Sequence, residues 1–238
     1  MSTWQSRHSQ LKDLLDLRNE PIAISFTNQL PNSVPHFDKS YPNPTPDGRT
    51  GAVSAGCEFW IHSTDKTFYT TEEDHANCSV GSVTHGFKNW EEVIDKQDVG
   101  TILACEWVSM DDVPHIQTIK EKFQYVIYGP LKDAPVEPDV VFIRVNGEQL
   151  MMLKDAFPDL RIEGKPQCHI IGMARNQDII AASTGCALSR KRTGMSSNEM
   201  SATIPAKSFD EVLEKLSASC KIDDMVAEYA KKDKQRFI

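Results

Sequence analysis

Three of the six cysteines lie in short turns that also contain glycine. The sequence reads Ala-Gly-Cys at Cys57, Asn-Cys-Ser-Val-Gly at Cys78 and Thr-Gly-Cys at Cys186. A glycine beside a cysteine allows the backbone to come close to whatever the sulfur holds. A structural cysteine usually lies inside an apolar run instead. The pattern therefore predicts a metal or iron–sulfur site without naming its reaction.

The other three cysteines differ in their surroundings. Cys105 follows Ile-Leu-Ala and Cys220 falls near the end of a helical segment, so both fit small buried hydrophobes. Cys168 lies in the polar stretch Pro-Gln-Cys-His and is a candidate fourth ligand. Thiolates suit soft metals and iron–sulfur clusters, although the spacing here is scattered and not of the Cys-x-x-Cys type. We expect the cofactor on Cys57, Cys78 and Cys186, with Cys168 as the open question.

Histidine and arginine residues near these cysteines are candidates for chemistry beyond ligation. His75 precedes Cys78 by three residues and His85 follows it by seven, so on a helix all three would share one face. Either imidazole could be a ligand, an outer-shell donor, a cap or a surface residue. The basic run at 189–192 follows Cys186 and either binds an anion through Arg190 or forms a solvated turn.

Composition limits the class of protein. The chain has 238 residues, 39% of them hydrophobic and 25% charged, which is typical of a globular protein. A net charge of −8 argues against nucleic acid as the main partner. No apolar run is long enough to cross a bilayer, and the N-terminus does not read as a secretory signal. We expect a cytoplasmic protein whose cysteines are thiols or metal ligands, with a homo-oligomer left open.

The periodicity of apolar residues predicts one mixed α/β domain, in which helices flank a mixed sheet. A first helix includes Leu11, Leu14 and Leu15 and ends before Pro21. Strands are predicted at 22–26, 67–71, 124–128, 140–145, 178–183 and 200–204. Further helices are predicted within 51–60, near Cys78, and at 88–95, 147–157, 168–175, 209–216 and 222–229. A long loop covers 28–50 and a charged, frayed tail covers 230–238.

Several segments together resemble a prokaryotic family of unknown function, the domain-of-unknown-function family 169 (DUF169). The matching segments are 14–26, Cys57, Cys78 with Gly81 and Gly86, 128–131, 138–143, 183–186 with Arg190, and Glu199 with 204–205. They occur in order and cover most of the chain. The resemblance implies a single DUF169-like domain over 1–238 and leaves the activity open.

The chain departs from the family pattern in three places. Members often show Cys-Pro where this chain has Cys78-Ser79, and Gly-x-Arg where it has 187–190. The 28–50 loop is longer than the family's usual connection. These departures leave the thiols in place but could reshape the pocket around them.

These observations predict an enzyme that holds an iron–sulfur cluster, most simply [4Fe–4S], and acts on a small anionic molecule. The reaction would be of the lyase or hydratase type if one iron is open, or redox if Cys168 closes the cluster. In this prediction Arg190 binds the anion, and His85 or Glu199 moves a proton. The alternatives are a non-catalytic binding module with a structural zinc ion and a metal-free thiol enzyme.

Overall fold

The computed structural model describes residues 3–38 and 40–237. Residues 1, 2, 39 and 238, which belong to the predicted domain, loop and tail, lie outside the described residues. The helices are α1 (Thr3–Leu15), α2 (Cys57–His62), α3 (Ser79–Thr84), α4 (Trp90–Val93), α5 (Gln97–Ala104), α6 (Gly147–Ala156), α7 (His169–Gln177), α8 (Ala187–Thr193) and α9 (Phe209–Lys234). The strands are β1 (Ile22–Thr27), β2 (Phe68–Thr70), β3 (Tyr125–Pro130), β4 (Val140–Val145), β5 (Arg161–Glu163), β6 (Ala181–Ser183) and β7 (Met200–Pro205).

The seven strands form one mixed sheet in the order β2-β3-β1-β4-β7-β6-β5. Neighbouring strands are antiparallel except β5 and β6, which pair in parallel from Arg161 opposite Ala181. In the centre, Ile22 of β1 lies opposite Pro130 of β3 and Phe142 of β4. The expected mixed α/β domain with helices flanking a mixed sheet is confirmed.

The central strands divide their apolar side chains between two cores because successive residues of a strand point to opposite faces. On β4, Val141 and Ile143 join the core beneath α1, α6 and α9. Val140 and Phe142 join the core beneath α2 and α7 on the other face. Helices therefore cover both faces, which explains why β4 is an almost continuous apolar run.

A third apolar cluster lies beside the second core. It is built by the short helices α3, α4 and α5 and the segment that follows them, and it includes Val83, Val99 and Ile102. Cys168 packs against both this cluster and the second core. The boundary between these two clusters is where the cysteines meet.

Several predicted elements need correction. The helices expected at 209–216 and 222–229 are one helix, α9, which also includes most of the tail expected to fray. The strand expected at 178–183 is limited to β6, since Asp178 ends α7 in the left-handed conformation, with φ of 57°. The sequence analysis missed α5, β5 and α8. No helix in the described part of the chain has the length and apolar character needed to cross a membrane.

The 28–50 segment is a loop, as expected, and it packs along the sheet edge at β2. The Phe37 N–H donates to the Tyr69 carbonyl over 2.9 Å, and the Tyr69 N–H donates to the Pro35 carbonyl over 2.9 Å. The buried Asp74 carboxylate accepts hydrogen bonds from His36 and Tyr41. The loop therefore covers an otherwise open strand edge.

Candidate functional site

Four of the six cysteines line one pocket: Cys57, Cys78, Cys168 and Cys186. Each lies where a helix begins. Cys57 is the first residue of α2, while the other three directly precede α3, α7 and α8. Four chain segments far apart in sequence therefore bring their thiols to one place. Cys105 and Cys220 lie elsewhere and donate hydrogen bonds to the carbonyls of Ile102 and Leu14.

The pocket is small, with about 40 Å³ of internal space for water-sized groups. Its remaining walls are mostly apolar and combine two indoles, a histidine, an amide and a guanidinium. They consist of Ala55, Gly56, Trp60, Val80, Gly81, His85, Trp107, Pro166, Gln167, Leu188, Ser189 and Arg192. A largely apolar cavity with a few polar groups is typical of a ligand or cofactor site.

A close approach of two loops brings Cys57 towards Cys78. A Cβ atom on Gly51 would lie 2.8 Å from the Asp74 carbonyl oxygen and 2.9 Å from the Asn77 nitrogen, so glycine is required there. The Asn77 amide donates to the carbonyls of Gly51 and Val53, each over 3.0 Å. These contacts fix the turn before Cys78 against the segment that leads into α2.

The start of α3 is held by a half-buried ionic network. The Asp98 carboxylate accepts the backbone N–H of Ser79 over 2.9 Å and its hydroxyl over 2.7 Å. Arg49 lies 3.2 Å from Asp98 and donates to the Asn77 carbonyl over 3.0 Å. Ser79 thus supplies two donors that anchor this turn.

The Cys186 turn depends on Gly185 and Arg190. Gly185 has φ of 107°, a conformation that side-chain-bearing residues rarely adopt, and a Cβ there would lie 2.9 Å from the Arg190 Nε. The Arg190 guanidinium donates to the carbonyls of Thr184 over 2.8 Å, Glu199 over 2.6 Å and Ser196. Arg190 therefore braces the backbone around α8 and does not enter the thiol pocket.

Burial dominates the ionisation of three thiols. It raises the pKa of Cys57 to about 12, that of Cys78 above its usual value, and that of Cys168 well above it. Repulsion from the neighbouring thiols raises each of these three pKa values further. Each pair among the four cysteines contributes to at least one of the three rises. Hydrogen bonds from Ser189 to Cys57 and from the Gly81 N–H to Cys78 oppose the rise. The thiols therefore share one electrostatic environment.

His85 lines the pocket beside the thiols. Its Nδ1 lies 2.9 Å from the Gly81 carbonyl oxygen, which requires a proton on Nδ1 and leaves Nε2 as an acceptor. Nε2 is buried and has no hydrogen-bond partner in the described part of the chain. Burial lowers the pKa of His85 to about 4, so the ring is neutral at pH 7. His75 lies behind it, with 4.9 Å between ring centroids, and its Nε2 is 3.0 Å from the Thr70 hydroxyl.

Two buried donors and one further acceptor in the pocket were missed by the sequence analysis. Arg192 Nη1, Trp60 Nε1 and Gln167 Oε1 are all buried without a partner among the described residues. The charge of Arg192 also lowers the pKa of Cys78 against the effect of burial. The sequence contained a signal for Trp60, since residues three apart on a helix such as α2 share a face.

Arg192 was missed because α8 was missed. In a helix over 187–193, Ser189 and Arg192 fall on one face and Arg190 points about 200° away from Arg192. The basic run therefore does supply a cation to the pocket, but from Arg192. Glu199 also lies outside the pocket, where its carboxylate is 3.2 Å from Arg144.

Four thiols line the pocket, but within the described part of the chain they are not arranged to hold a single metal ion. Within residues 3–38 and 40–237, no three or more His, Cys, Asp or Glu side chains are arranged to hold one metal ion. The thiols instead surround a pocket. The lining therefore combines soft sulfurs with a neutral imidazole and two buried N–H donors.

Comparisons with known proteins place the chain in a family whose function is not known. Neither a curated protein nor a solved structure matches it. The model of the DUF169 family, described as uncharacterised ArCR proteins, matches residues 10–215. This match covers most of the chain and includes all four pocket cysteines, and the chain therefore belongs to the DUF169 family.

Proposed function

We propose that the protein holds an iron–sulfur cluster, most simply [4Fe–4S], in the thiol pocket and uses it as an oxidoreductase on a small anionic molecule. The observation that carries the proposal is the convergence of Cys57, Cys78, Cys168 and Cys186 on one pocket. Cys57 and Cys168 also pack against the apolar clusters, but apolar packing does not require four thiols in one place, and four thiolates would repel one another. A cationic metal core offsets that repulsion.

The orphaned donors of the pocket support the same proposal. Arg192 Nη1 and Trp60 Nε1 are buried without partners, which costs about 1–3 kcal/mol each in the free protein. Sulfide and thiolate sulfurs accept hydrogen bonds, and such bonds tune the reduction potential of a cluster. These two side chains would therefore regain partners when the pocket is filled.

Arg192 also supports an anionic substrate. It is the guanidinium that faces the pocket, and its fork of N–H donors suits a carboxylate or phosphate. Gln167 offers an amide oxygen to a donor on the ligand. We assign to Arg192 the anion-binding role that the sequence analysis gave to Arg190, because Arg190 already donates to three carbonyls.

Redox chemistry is favoured over lyase or hydratase chemistry by the number of donors. When bound, a cluster supplies either electron transfer or, through an iron without a protein ligand, a Lewis acid. Four cysteines and His85 line the pocket, so each of four irons would have a protein donor within the lining. A cluster with a protein ligand on each of its four irons has no open iron for the substrate, so it would serve electron transfer.

The alternatives have less support. A structural zinc site closes around its ion, whereas these thiols line a pocket that extends to solvent. A thiol enzyme needs a lowered pKa, but burial raises the pKa of Cys57, Cys78 and Cys168. Both remain outcomes of the experiment below. A reducing, cytoplasmic location suits free thiols and remains a prediction.

The test is anaerobic reconstitution with ferrous iron and sulfide, followed by absorption spectroscopy. We expect a broad band near about 400 nm that dithionite bleaches. Cys57→Ser, Cys78→Ser and Cys186→Ser should each remove most of the band. Cys105→Ser and Cys220→Ser are matched controls from outside the pocket and should retain it.

Three outcomes would overturn the proposal. A protein that stays colourless and binds one zinc ion per chain supports the binding module. A protein that binds no metal but loses function on alkylation supports the thiol enzyme. A band that survives in all five variants shows that iron and sulfide associate elsewhere.

A further inference from the structure

We infer that His85 Nε2, and not the thiol of Cys168, is the fourth protein ligand of the cluster. This inference rests on the proposed function and specifies the chemistry of the same site. The iron centre would then have three thiolates, from Cys57, Cys78 and Cys186, and one imidazole.

The hydrogen bonding of the His85 imidazole is typical of a metal ligand. A metal-bound histidine usually donates its other ring N–H to a carbonyl or carboxylate, which fixes both the tautomer and the ring orientation. His85 has this arrangement, because Nδ1–H donates to the Gly81 carbonyl over 2.9 Å. Nε2 of this pocket-lining residue is therefore left with a free lone pair, buried and without a partner among the described residues.

His85 Nε2 is a hydrogen-bond acceptor, and the sulfur atoms of a bound cluster cannot donate to it. Bound sulfide and thiolate carry no proton to donate, so a cluster on four thiols would leave His85 Nε2 unpaired. An unpaired buried acceptor is unfavourable, whereas an iron atom accepts its lone pair directly. Because the ring is neutral, the Fe–N bond forms without loss of a proton. His85 is only 2% exposed, which leaves little opportunity for bulk water to supply a partner.

The charge of the pocket favours the same ligand set. A dicationic core with three thiolates and a neutral imidazole carries one net negative charge, and a fourth thiolate would make two. Arg192 is the guanidinium in the described lining that offsets this charge. Imidazole in place of thiolate also raises the reduction potential of a cluster, which makes it a better electron acceptor.

The test is pulsed electron paramagnetic resonance on the reconstituted, reduced protein labelled with ¹⁵N-histidine. We expect a strong hyperfine coupling from one directly bound nitrogen. His85→Phe should abolish the coupling and most of the iron content, and His85→Cys should restore iron with no nitrogen coupling. His169→Gln, which replaces a buried imidazole outside the pocket, should change neither. Cys168→Ser should retain both the cluster and the coupling.

The outcomes distinguish this inference from the proposed function. A cluster that loads without nitrogen coupling, or that is lost in Cys168→Ser but kept in His85→Phe, overturns histidine ligation and leaves the cluster intact. A fully loaded cluster in both single variants supports an open iron and overturns the inference as well. Failure of the wild-type protein to bind iron and sulfide overturns both proposals.

Discussion

At the scale of single residues, the site depends on which polar atoms lack partners. Cys57, Cys78 and Cys186 could be selected from the sequence by their glycine neighbours, whereas the polar surroundings of Cys168 left its role open. The unpaired atoms of Trp60, His85 and Arg192 could not, because pairing depends on tertiary contacts. Arg190 and Arg192 have the same side chain and lie two residues apart, yet one braces the backbone and the other enters the pocket.

Arg190 gives the first prediction. Arg190→Ala removes donors from the carbonyls of Thr184, Ser196 and Glu199, so the free energy of unfolding should fall by about 1–3 kcal/mol. Denaturant unfolding of the cluster-free protein measures this change. Lys191→Ala, an exposed neighbour, is the control and should have almost no effect. Equal stability in both variants would return Arg190 to a solvated-turn role.

The second prediction concerns Arg192, whose replacement should change the cluster and leave the stability of the fold almost unchanged. Arg192→Gln keeps a hydrogen-bond donor but removes the charge from the pocket, so the reduction potential of the loaded cluster should fall. The variant should unfold at nearly the same denaturant concentration as the wild type when free of cluster. Redox titration of both proteins measures the shift. An unchanged potential would show that Arg192 does not contact the cluster.

The two buried histidines predict how stability depends on pH. Burial lowers the pKa of His85 to about 4 and that of His75 well below its usual value, with the charge of His85 adding to the effect on His75. In the unfolded chain both titrate near about 6.5. As pH falls from about 6.5 towards 4, the unfolded state therefore binds more protons than the folded state. The contribution of the two neutral histidines to the free energy of unfolding is fully present above this window and is lost within it.

The measurement is denaturant unfolding of the cluster-free protein between pH 7.5 and 4.5. His85 alone should contribute a loss on the order of 3 kcal/mol over its full window. A His75→Gln, His85→Phe double variant should show a flatter dependence. A wild-type stability that does not change below pH 6.5 would contradict the neutral, buried state of both rings.

At the scale of elements, each pocket thiol is positioned by a helix start and by the contacts that lock it. Six of the seven described strands and the longer helices could be predicted from their apolar patterns, whereas the three-residue strand β5 could not. The short helices α5 and α8 could not, since seven or eight residues make only about two helical turns, too few to show a period. The error in selecting Arg190 follows from the missing helix α8.

Helix α9 divides into a packed half and an exposed half. Phe209, Val212, Leu213 and Leu216 are buried, whereas Ile222, Met225 and Tyr229 are 62%, 74% and 68% exposed. The family match also ends at residue 215. The distal half of α9 therefore contributes little to the stability of the domain or to the site.

This division predicts that deletion of residues 222–238 leaves the domain folded. The free energy of unfolding should change by less than about 1 kcal/mol, and iron content after reconstitution should be unchanged. Leu216→Ala, which removes a fully buried side chain, is the contrast and should cost about 2–5 kcal/mol. A truncated protein that no longer unfolds cooperatively would show that the exposed half is part of the fold.

At the scale of the whole molecule, the fold brings four distant helix starts together between two apolar clusters. The fold class could be predicted from the alternation of strand and helix patterns. The convergence of the thiols could be anticipated only as a requirement of shared ligation. The supporting contacts, such as Asn77 with the 51–53 segment, are long-range and leave no local pattern in the sequence.

The central claim is that the pocket holds iron and sulfide, and the most direct test is elemental. Iron, zinc and acid-labile sulfide should be quantified in the full chain purified without oxygen and not reconstituted. We predict iron and sulfide in equal amounts, about four of each per chain for [4Fe–4S], with little zinc. Protein that contains stoichiometric zinc, or neither metal, with no labile sulfide would contradict the account.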